Sequence, residues 1–410
     1  MRLLTTNQIH CLSCRGMHYN ASDAIITWDY LSRYTEYCDE VTVLVRSREV
    51  ESVDPALPRI DGPGVRIQAL PDPLSPWAAI LSLPTFVRRI RQALRLADAY
   101  TLKLPDALAT LVGLILWMTR RPYAVEVVAD CRQGILLAKG HLPWVRFYAG
   151  FFDALTRFLV KRASSASYVS DYLRRRYPLP SPERQWCFSS LELTPDLMGS
   201  CRGLEFFSGR PIKLIATGRQ SPEKGHLTLI QAFREIVAQA ERPVELHLLG
   251  DGPERLRLQR QADDLGIHDQ VFFWGKIPRG PELLSHLDGA HLYVLPSLTE
   301  GMGRGLIEAM GRGLPCVASA VGGVPEYLDS PWLVPPADPL ALAHKVLAVI
   351  REPSTLARMS RENFDRAQAF TPQRIKAKKD AFWSAALTPR AGAPRSPHPP
   401  TGRHPLVSCE

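Results

Sequence analysis

Ile212-Lys213-Leu214-Ile215-Ala216-Thr217-Gly218, followed by a stretch in which Leu227, Ile230, Phe233, Ile236 and Val237 recur at helical spacing, decides the fold of this chain. A short apolar run that ends in glycine reads as a strand, and the periodic run after it reads as the helix that covers it. Working outward, strands are expected at 244–249, 270–274, 291–295 and 315–318, and helices at 254–265, 281–287, 303–311 and 339–350. Several of these strands are unbroken apolar runs, as required when helices cover both faces of a sheet. Strands alternating with helices at this interval predict an α/β, doubly wound parallel sheet.

The first half has the same rhythm, with strand candidates at 41–45, 65–69, 99–102, 123–128 and 166–169. Two Rossmann-like domains are therefore expected, 1–205 and 206–370, joined by the patternless stretch 193–209. A last helix, about 372–387, trails the second domain and is placed to pack back on the first. From 388 to 410 the chain turns to Pro, Arg, Gly and His without periodicity and reads as a disordered tail.

The chain has 410 residues, 45% hydrophobic and 22% charged, which suits a globular enzyme-sized protein and excludes a collagen-like, coiled-coil or mostly disordered one. The net charge of +9 is spread over both halves, so no nucleic-acid-binding tail or stripe stands out. Eight scattered cysteines do not make a disulfide scaffold. Cys11 and Cys14 have the spacing of half a zinc site but lack a second pair, so buried thiols in a reducing cytosol are the expectation. The N-terminus lacks the apolar core of a signal peptide, and the longest apolar stretch, 107–118, falls short of the ~20 residues of a membrane-spanning helix. Residues 86–96 read as an amphipathic helix with Arg88, Arg91 and Arg95 on one face. That pattern fits either peripheral contact with an anionic membrane or a surface helix packed on its own domain.

In open α/β sheets ligands gather at the carboxyl ends of the strands. Gly218-Arg219-Gln220-Ser221-Pro222-Glu223-Lys224-Gly225 lies after one strand and opens a helix. An Arg fork and a Lys point charge at a helix start can cradle a pyrophosphate. Glu300-Gly301-Met302-Gly303 precedes the later helix, and Glu308 lies inside it. Glycines let backbone approach an anion, free amides supply positive dipole, and a carboxylate can grip a sugar diol. Taken singly, each of these residues reads as readily as a solvated loop cation or a capping acid.

In order along the chain stand Gly218-Arg219, then Pro222-Glu223-Lys224-Gly225, Leu249-Gly250-Asp251-Gly252-Pro253, Gly275, Glu300 and Glu308, and Gly322-Gly323-Val324-Pro325-Glu326. This order resembles family 4 of the retaining glycosyltransferases, over about 212–350; shorter pieces near 124–130 and 168–173 look like the acceptor-side domain of bacterial polysaccharide-building members. The resemblance implies the GT-B fold, two Rossmann-like domains facing across a cleft, and transfer of a sugar from a UDP- or GDP-linked donor to an acceptor hydroxyl with retention. It implies that Arg219 and Lys224 bind the diphosphate and stabilise the charge that grows on it, Glu308 holds the ribose, and Glu300 with the backbone of Gly301, Met302 and Gly303 contacts the donor sugar and phosphates. Gly218, Gly250 and the main chain at Ile277 complete the donor site. Met302 stands where the family usually has an aromatic residue.

No Asp-x-Asp occurs, so no metal and no separate cofactor are expected. On the acceptor side the family often has a glycine-rich N-terminal loop; here 11–20 contains only Gly16. Asp130 is the candidate nearest the transferred sugar, with His18 as a second. Expected partners are the nucleotide-sugar donor and an acceptor glycan, lipid-linked, in bacterial cell-surface or exported polysaccharide biosynthesis; the expected location is the cytoplasm, peripheral at the inner face of the cell membrane. The competing reading is a sugar-nucleotide-binding or scaffold protein of the same fold with weakened catalysis. A nicotinamide-dependent dehydrogenase would need Gly-x-Gly-x-x-Gly after a first strand, and residues 1–16 show nothing of the kind.

Overall fold

The computed structural model describes residues 1–21, 26–55, 57–72, 76–140, 142–208 and 211–388. All but the first residue of the expected tail therefore lie outside the described residues. The strands are β1 (Arg2–Cys14), β2 (Met17–Asn20), β3 (Glu40–Glu49), β4 (Val65–Pro71), β5 (Ala99–Leu104), β6 (Ala124–Val127), β7 (Ser165–Tyr168) and β8 (Gln185–Cys187). They continue with β9 (Ile212–Thr217), β10 (Val244–Leu249), β11 (Val271–Gly275), β12 (Leu292–Leu295), β13 (Cys316–Ser319) and β14 (Leu333–Val334). The helices are α1 (Trp28–Ser32), α2 (Pro76–Leu96), α3 (Ala107–Met118), α4 (Cys131–Lys139), α5 (Pro143–Arg162), α6 (Asp171–Arg176) and α7 (Leu204–Phe207). After them come α8 (His226–Gln239), α9 (Arg255–Asp264), α10 (Pro281–Gly289), α11 (Arg304–Gly311), α12 (Pro339–Ile350), α13 (Pro353–Ala367) and α14 (Pro372–Leu387).

The described residues form two compact units, one within 1–101 with 118–122, the other within 102–117 with 123–386. In the first, β1 lies between β3 and the start of β5, all parallel, and β4 extends the sheet beyond β3. β2 turns back antiparallel on β1 through Arg15 and Gly16, both at positive φ, as a tight hairpin demands. β1 is a strand the sequence pattern does not announce. Helix α2 buries Ile90, Ala93 and Leu94 and turns Arg88, Arg91 and Arg95 outward.

In the second unit β6, β7 and β8 are parallel, and a separate parallel sheet runs β11-β10-β9-β12-β13-β14. The alternation read from 212–350 is thus a doubly wound sheet, with β9 at its centre. Leu214, Leu246, Leu292, Val294 and Val317 form the floor of its core, covered by Phe233, Ile236, Leu342, Val346 and Met359 from the helices. The patternless join lies along this domain: the Gly199 amide donates to the Gly311 carbonyl (2.8 Å) and the Leu193 amide to that of Phe370 (2.9 Å). Phe382 of α14 meets Trp186 and Phe188, with ring centroids 6.0 and 5.8 Å away, so α14 lies against β8.

Two buried histidines tie this domain's stability to pH. His226, at the start of α8, and His291, before β12, are each pushed down to about 4, mainly by burial; nearby cations, Lys224 and Arg202 respectively, add to it. His291 Nδ1 accepts the Lys213 amide (3.1 Å), which requires the neutral ring. Unfolding lets both rings take up a proton near pH 6.5, whereas the folded chain resists until about 4. Stability is therefore complete above that window and falls as pH drops through it, by about 1.4 kcal/mol per unit for each ring. Melting at pH 7 and pH 5 should show this loss, and His226→Gln with His291→Gln should flatten it; a pH slope unchanged in the double variant would refute the assignment.

Candidate active site

The loops that follow β9, β10, β11 and β12 carry the residues singled out after the central strands of the second sheet. After β9, the Gly218 amide donates to the Leu249 carbonyl (2.9 Å) and the Gln220 amide to that of Asp251 (2.9 Å). These bonds fasten the Arg219 loop to the turn after β10. Gly250 closes the seam: its amide donates to the Gly275 carbonyl (2.7 Å), and its α-carbon lies against the Gly218 carbonyl. Arg219 is exposed and makes no ion pair among the described residues. Ile277, half-buried, follows β11 on the neighbouring loop.

Lys224 ends the single helical turn Pro222–Lys224, which is fixed by the Leu298 amide donating to the Glu223 carbonyl (2.8 Å). Across it, Lys224 Nζ donates to Glu300 Oε1 (2.7 Å). The same oxygen accepts the Ser297 hydroxyl (2.8 Å). Glu300 is 9% exposed, so its charge is held by this lysine and this serine rather than by water. Arg219, by contrast, keeps its five donors toward solvent.

Glu300, Gly301, Met302 and Gly303 lead into α11, whose N-cap is Gly303 at φ 79°. Met302 is buried, so its side chain serves packing. Glu308 lies one turn inside α11 and forms an ion pair with Arg279, from the loop after β11. Sequence reasoning missed Arg279, since a cation in a loop after a strand has no distinguishing signal. The pairing gives Glu308 a cationic neighbour that a diol would share or displace.

The loop after β6 abuts this region. The Gly301 α-carbon lies against the Val128 carbonyl, where a Cβ would stand 2.1 Å from the oxygen, and the Thr299 hydroxyl donates to Gln133 Oε1 (2.8 Å). Asp130 is between these contacts in sequence, but its carboxylate is engaged. Oδ1 caps α4 by accepting the Gln133 amide (3.1 Å), and Oδ2 accepts Tyr172 Oη (2.8 Å) and Arg176 Nε (3.0 Å). Burial and the neighbouring Asp130 push the Tyr172 hydroxyl well above its ordinary range. The Asp130 carboxylate thus organises a buried network that Arg176 extends to Asp153 (3.0 Å).

Gly16 and His18 belong to the other unit. Gly16 is in the hairpin turn, and the His18 amide donates to Asp61 Oδ1 (2.9 Å). Burial lowers the His18 ring below its usual value, with Asp61 opposing and Arg59 assisting. Where the family resemblance expects a phosphate loop, this chain has a two-residue turn between paired strands. No group of His, Cys, Asp and Glu suited to a metal ion occurs among the described residues.

Comparison with known proteins bears on this geometry. The family model for "Glycosyl transferases group 1" matches residues 205–366. Protein CapJ of Staphylococcus aureus is 25% identical over 83% of this chain and 84% of its own length. A putative colanic acid biosynthesis glycosyltransferase, WcaL of Salmonella typhimurium, is 33% identical over 34% of this chain and 36% of its own. Among solved structures, Anabaena HepE in complex with UDP and glucose superposes with a TM-score of 0.68, at 19% identity, over 94% of this chain and all of that one. Residues 205–366 thus match the group 1 glycosyltransferases, and the chain has the GT-B fold.

Proposed function

We propose that this glycosyltransferase takes a sugar from a nucleoside-diphosphate donor and passes it, with retention and without a metal or cofactor, to an acceptor hydroxyl in bacterial envelope or exported polysaccharide biosynthesis. The observation that carries the reading is the Lys224–Glu300 pair set before the N-terminus of α11, with Glu308 one turn further on. As the sugar–phosphate bond breaks, negative charge grows on the departing diphosphate, and fixed cations and amides aimed there act most strongly at that moment. Lys224, the exposed Arg219 and the free amides of the α11 turn supply that charge, which is why no metal is needed. Glu308 would take the ribose diol, and Glu300 the transferred sugar. Retention follows from the family resemblance. The polysaccharide assignment rests on relatives such as WcaL, named for colanic acid biosynthesis, and the nucleoside-diphosphate donor is supported by HepE, solved with UDP. A lipid-linked acceptor presented at the inner face of the membrane completes the proposal.

Thermal shift against a panel of nucleotides and nucleotide-sugars tests it. The true donor at about a hundred times its Kd should stabilise by about 2.7 kcal/mol, a melting shift of several degrees. Transfer should persist in excess chelator. If no nucleotide shifts the melting curve, or if chelator abolishes transfer and Mg²⁺ restores it, the donor reading or the metal-free one fails accordingly. A strong shift without any turnover of donor would identify the weakened-catalysis alternative.

A further inference from the structure

Helix α5 is apolar on two faces. One is spent inside the protein, where Val145, Ala149, Thr156, Leu159 and Val160 are buried. The other carries Trp144, Phe147 and Phe151, which share one side of the helix and are 61%, 79% and 52% exposed. Leu142, just before the helix, is 58% exposed as well. A helix with its inner face already buried has no structural use for three outward aromatic rings, and such a patch marks a contact surface.

The charges around the stripe identify what it contacts. Over 131–162, α4 and α5 carry Arg132, Lys139, Arg146, Arg157, Lys161 and Arg162 against a single acid, Asp153. Asp153 is buried and taken up by Arg157 and Arg176 (3.0 Å each), so it offsets nothing on the surface. Arg132, Lys139, Arg146, Lys161 and Arg162 are exposed. Lys139 Nζ lies 4.9 Å from the centre of the Tyr148 ring, which sets a cation directly beside the aromatic stripe. Two copies joined about a two-fold axis through this stripe would set cations against cations with no acid to answer them. An anionic bilayer answers both features, taking the rings among its acyl chains and the cations at its headgroups.

We infer that the exposed face of α5 with its flanking cations is the surface by which this protein docks on an anionic lipid bilayer. No described helix is long and apolar enough to cross one, so the contact is peripheral. α2 also exposes apolar side chains, Trp77, Leu81 and Leu96, beside its outward Arg88, Arg91 and Arg95, but only on α5 do three aromatic rings share one side of the helix. The position of the stripe has a functional consequence. Gln133 in the first turn of α4 holds Thr299, next to Glu300, and the nine residues of α4 lead from there toward α5. Nine residues of helix rise about 14 Å. Docking by α5 would thus hold the loop bearing Thr299 and Glu300 a short helix away from the lipid surface, within reach of the head of a membrane-embedded acceptor.

The inference extends the lipid-linked-acceptor part of the proposed function, but its test uses neither donor nor acceptor. Full-length protein is sedimented with phosphatidylglycerol-rich vesicles and with neutral phosphatidylcholine vesicles at low salt. Wild type should partition at least about tenfold more onto the anionic vesicles, and W144A/F147A/F151A should lose at least about tenfold of that binding. The nucleotide-induced melting shift should be the same in both proteins, which separates loss of docking from loss of fold or of donor binding. Failure of wild type to sediment, or equal sedimentation of the triple variant, overturns the inference. A concentration-dependent dimer in light scattering that the triple variant abolishes, without vesicle binding, would assign the stripe to a second copy instead.

Discussion

Lys224→Ala should lower turnover by about two to three orders of magnitude, the scale of losing one preorganised group that stabilises transition-state charge. Two effects converge on this side chain. As a cation on the loop after β9 it would meet the charge that develops on the departing diphosphate. As the donor to Glu300 Oε1 it also fixes a carboxylate that is 9% exposed and has Ser297 as its other side-chain partner there. Removing the lysine strands that carboxylate, so stability should fall too, by about 1–3 kcal/mol, less than for a wholly buried pair because the lysine is partly open to water. Lys224→Ala combined with Glu300→Gln separates the two effects. If the lysine acts only by holding Glu300, the double variant should be no worse than Glu300→Gln alone; if it also meets the diphosphate, the double variant should be worse by at least about tenfold in kcat. Turnover of Lys224→Ala within threefold of wild type would remove Lys224 from the mechanism.

Much of the proposed donor site is legible in the sequence because its parts are local. A strand, a loop with two cations and a helix follow one another without interruption, and the ligand face of a parallel sheet is fixed by strand direction. What sequence does not show is how side chains far apart in the chain satisfy one another. Asp130 reads as an acid at a strand end, a natural place for chemistry, yet the structure commits it to Gln133, Tyr172 and Arg176. Arg279 carries no distinguishing signal in the sequence, yet it pairs with Glu308. β1 escapes notice for a different reason. It is a central strand, but Thr5, Thr6 and Asn7 interrupt its apolar pattern; they are buried all the same, at 1%, 1% and 7% exposure, and hydropathy alone cannot report that. The outward rings of α5 are invisible in the opposite sense, since periodicity shows that a helix is apolar and not which of two apolar faces finds a partner.

Gly322→Ala should be the most disruptive single-methyl change in the site, and a second glycine shows why. Gly322 is at φ +53°, and a Cβ there would lie 1.7 Å from the Glu300 carbonyl oxygen and 2.8 Å from its carbon. Gly266 has similar backbone, φ +67°, and nothing within 4 Å of its virtual Cβ. Left-handed backbone costs a non-glycine residue about 1–2 kcal/mol, so Gly266→Ala measures that strain by itself. At Gly322 the strain is joined by a collision with main chain, which cannot swing aside as a flexible side chain would. Overpacking adds about 1–3 kcal/mol, for a total of about 2–5. The segment forced to move is the one bearing Glu300, and the next residue, Gly323, already lies against Ser170 and the Gly301 carbonyl, which closes the alternative direction. The displacement should therefore pass to the Lys224–Glu300 pair and the backbone before α11. Gly322→Ala is expected to melt several degrees below Gly266→Ala and to lose at least about tenfold in nucleotide affinity, while Gly266→Ala keeps wild-type affinity. Equal melting temperatures and equal nucleotide affinities in the two variants would mean that the close approach of Gly322 to Glu300 does not hold the site together.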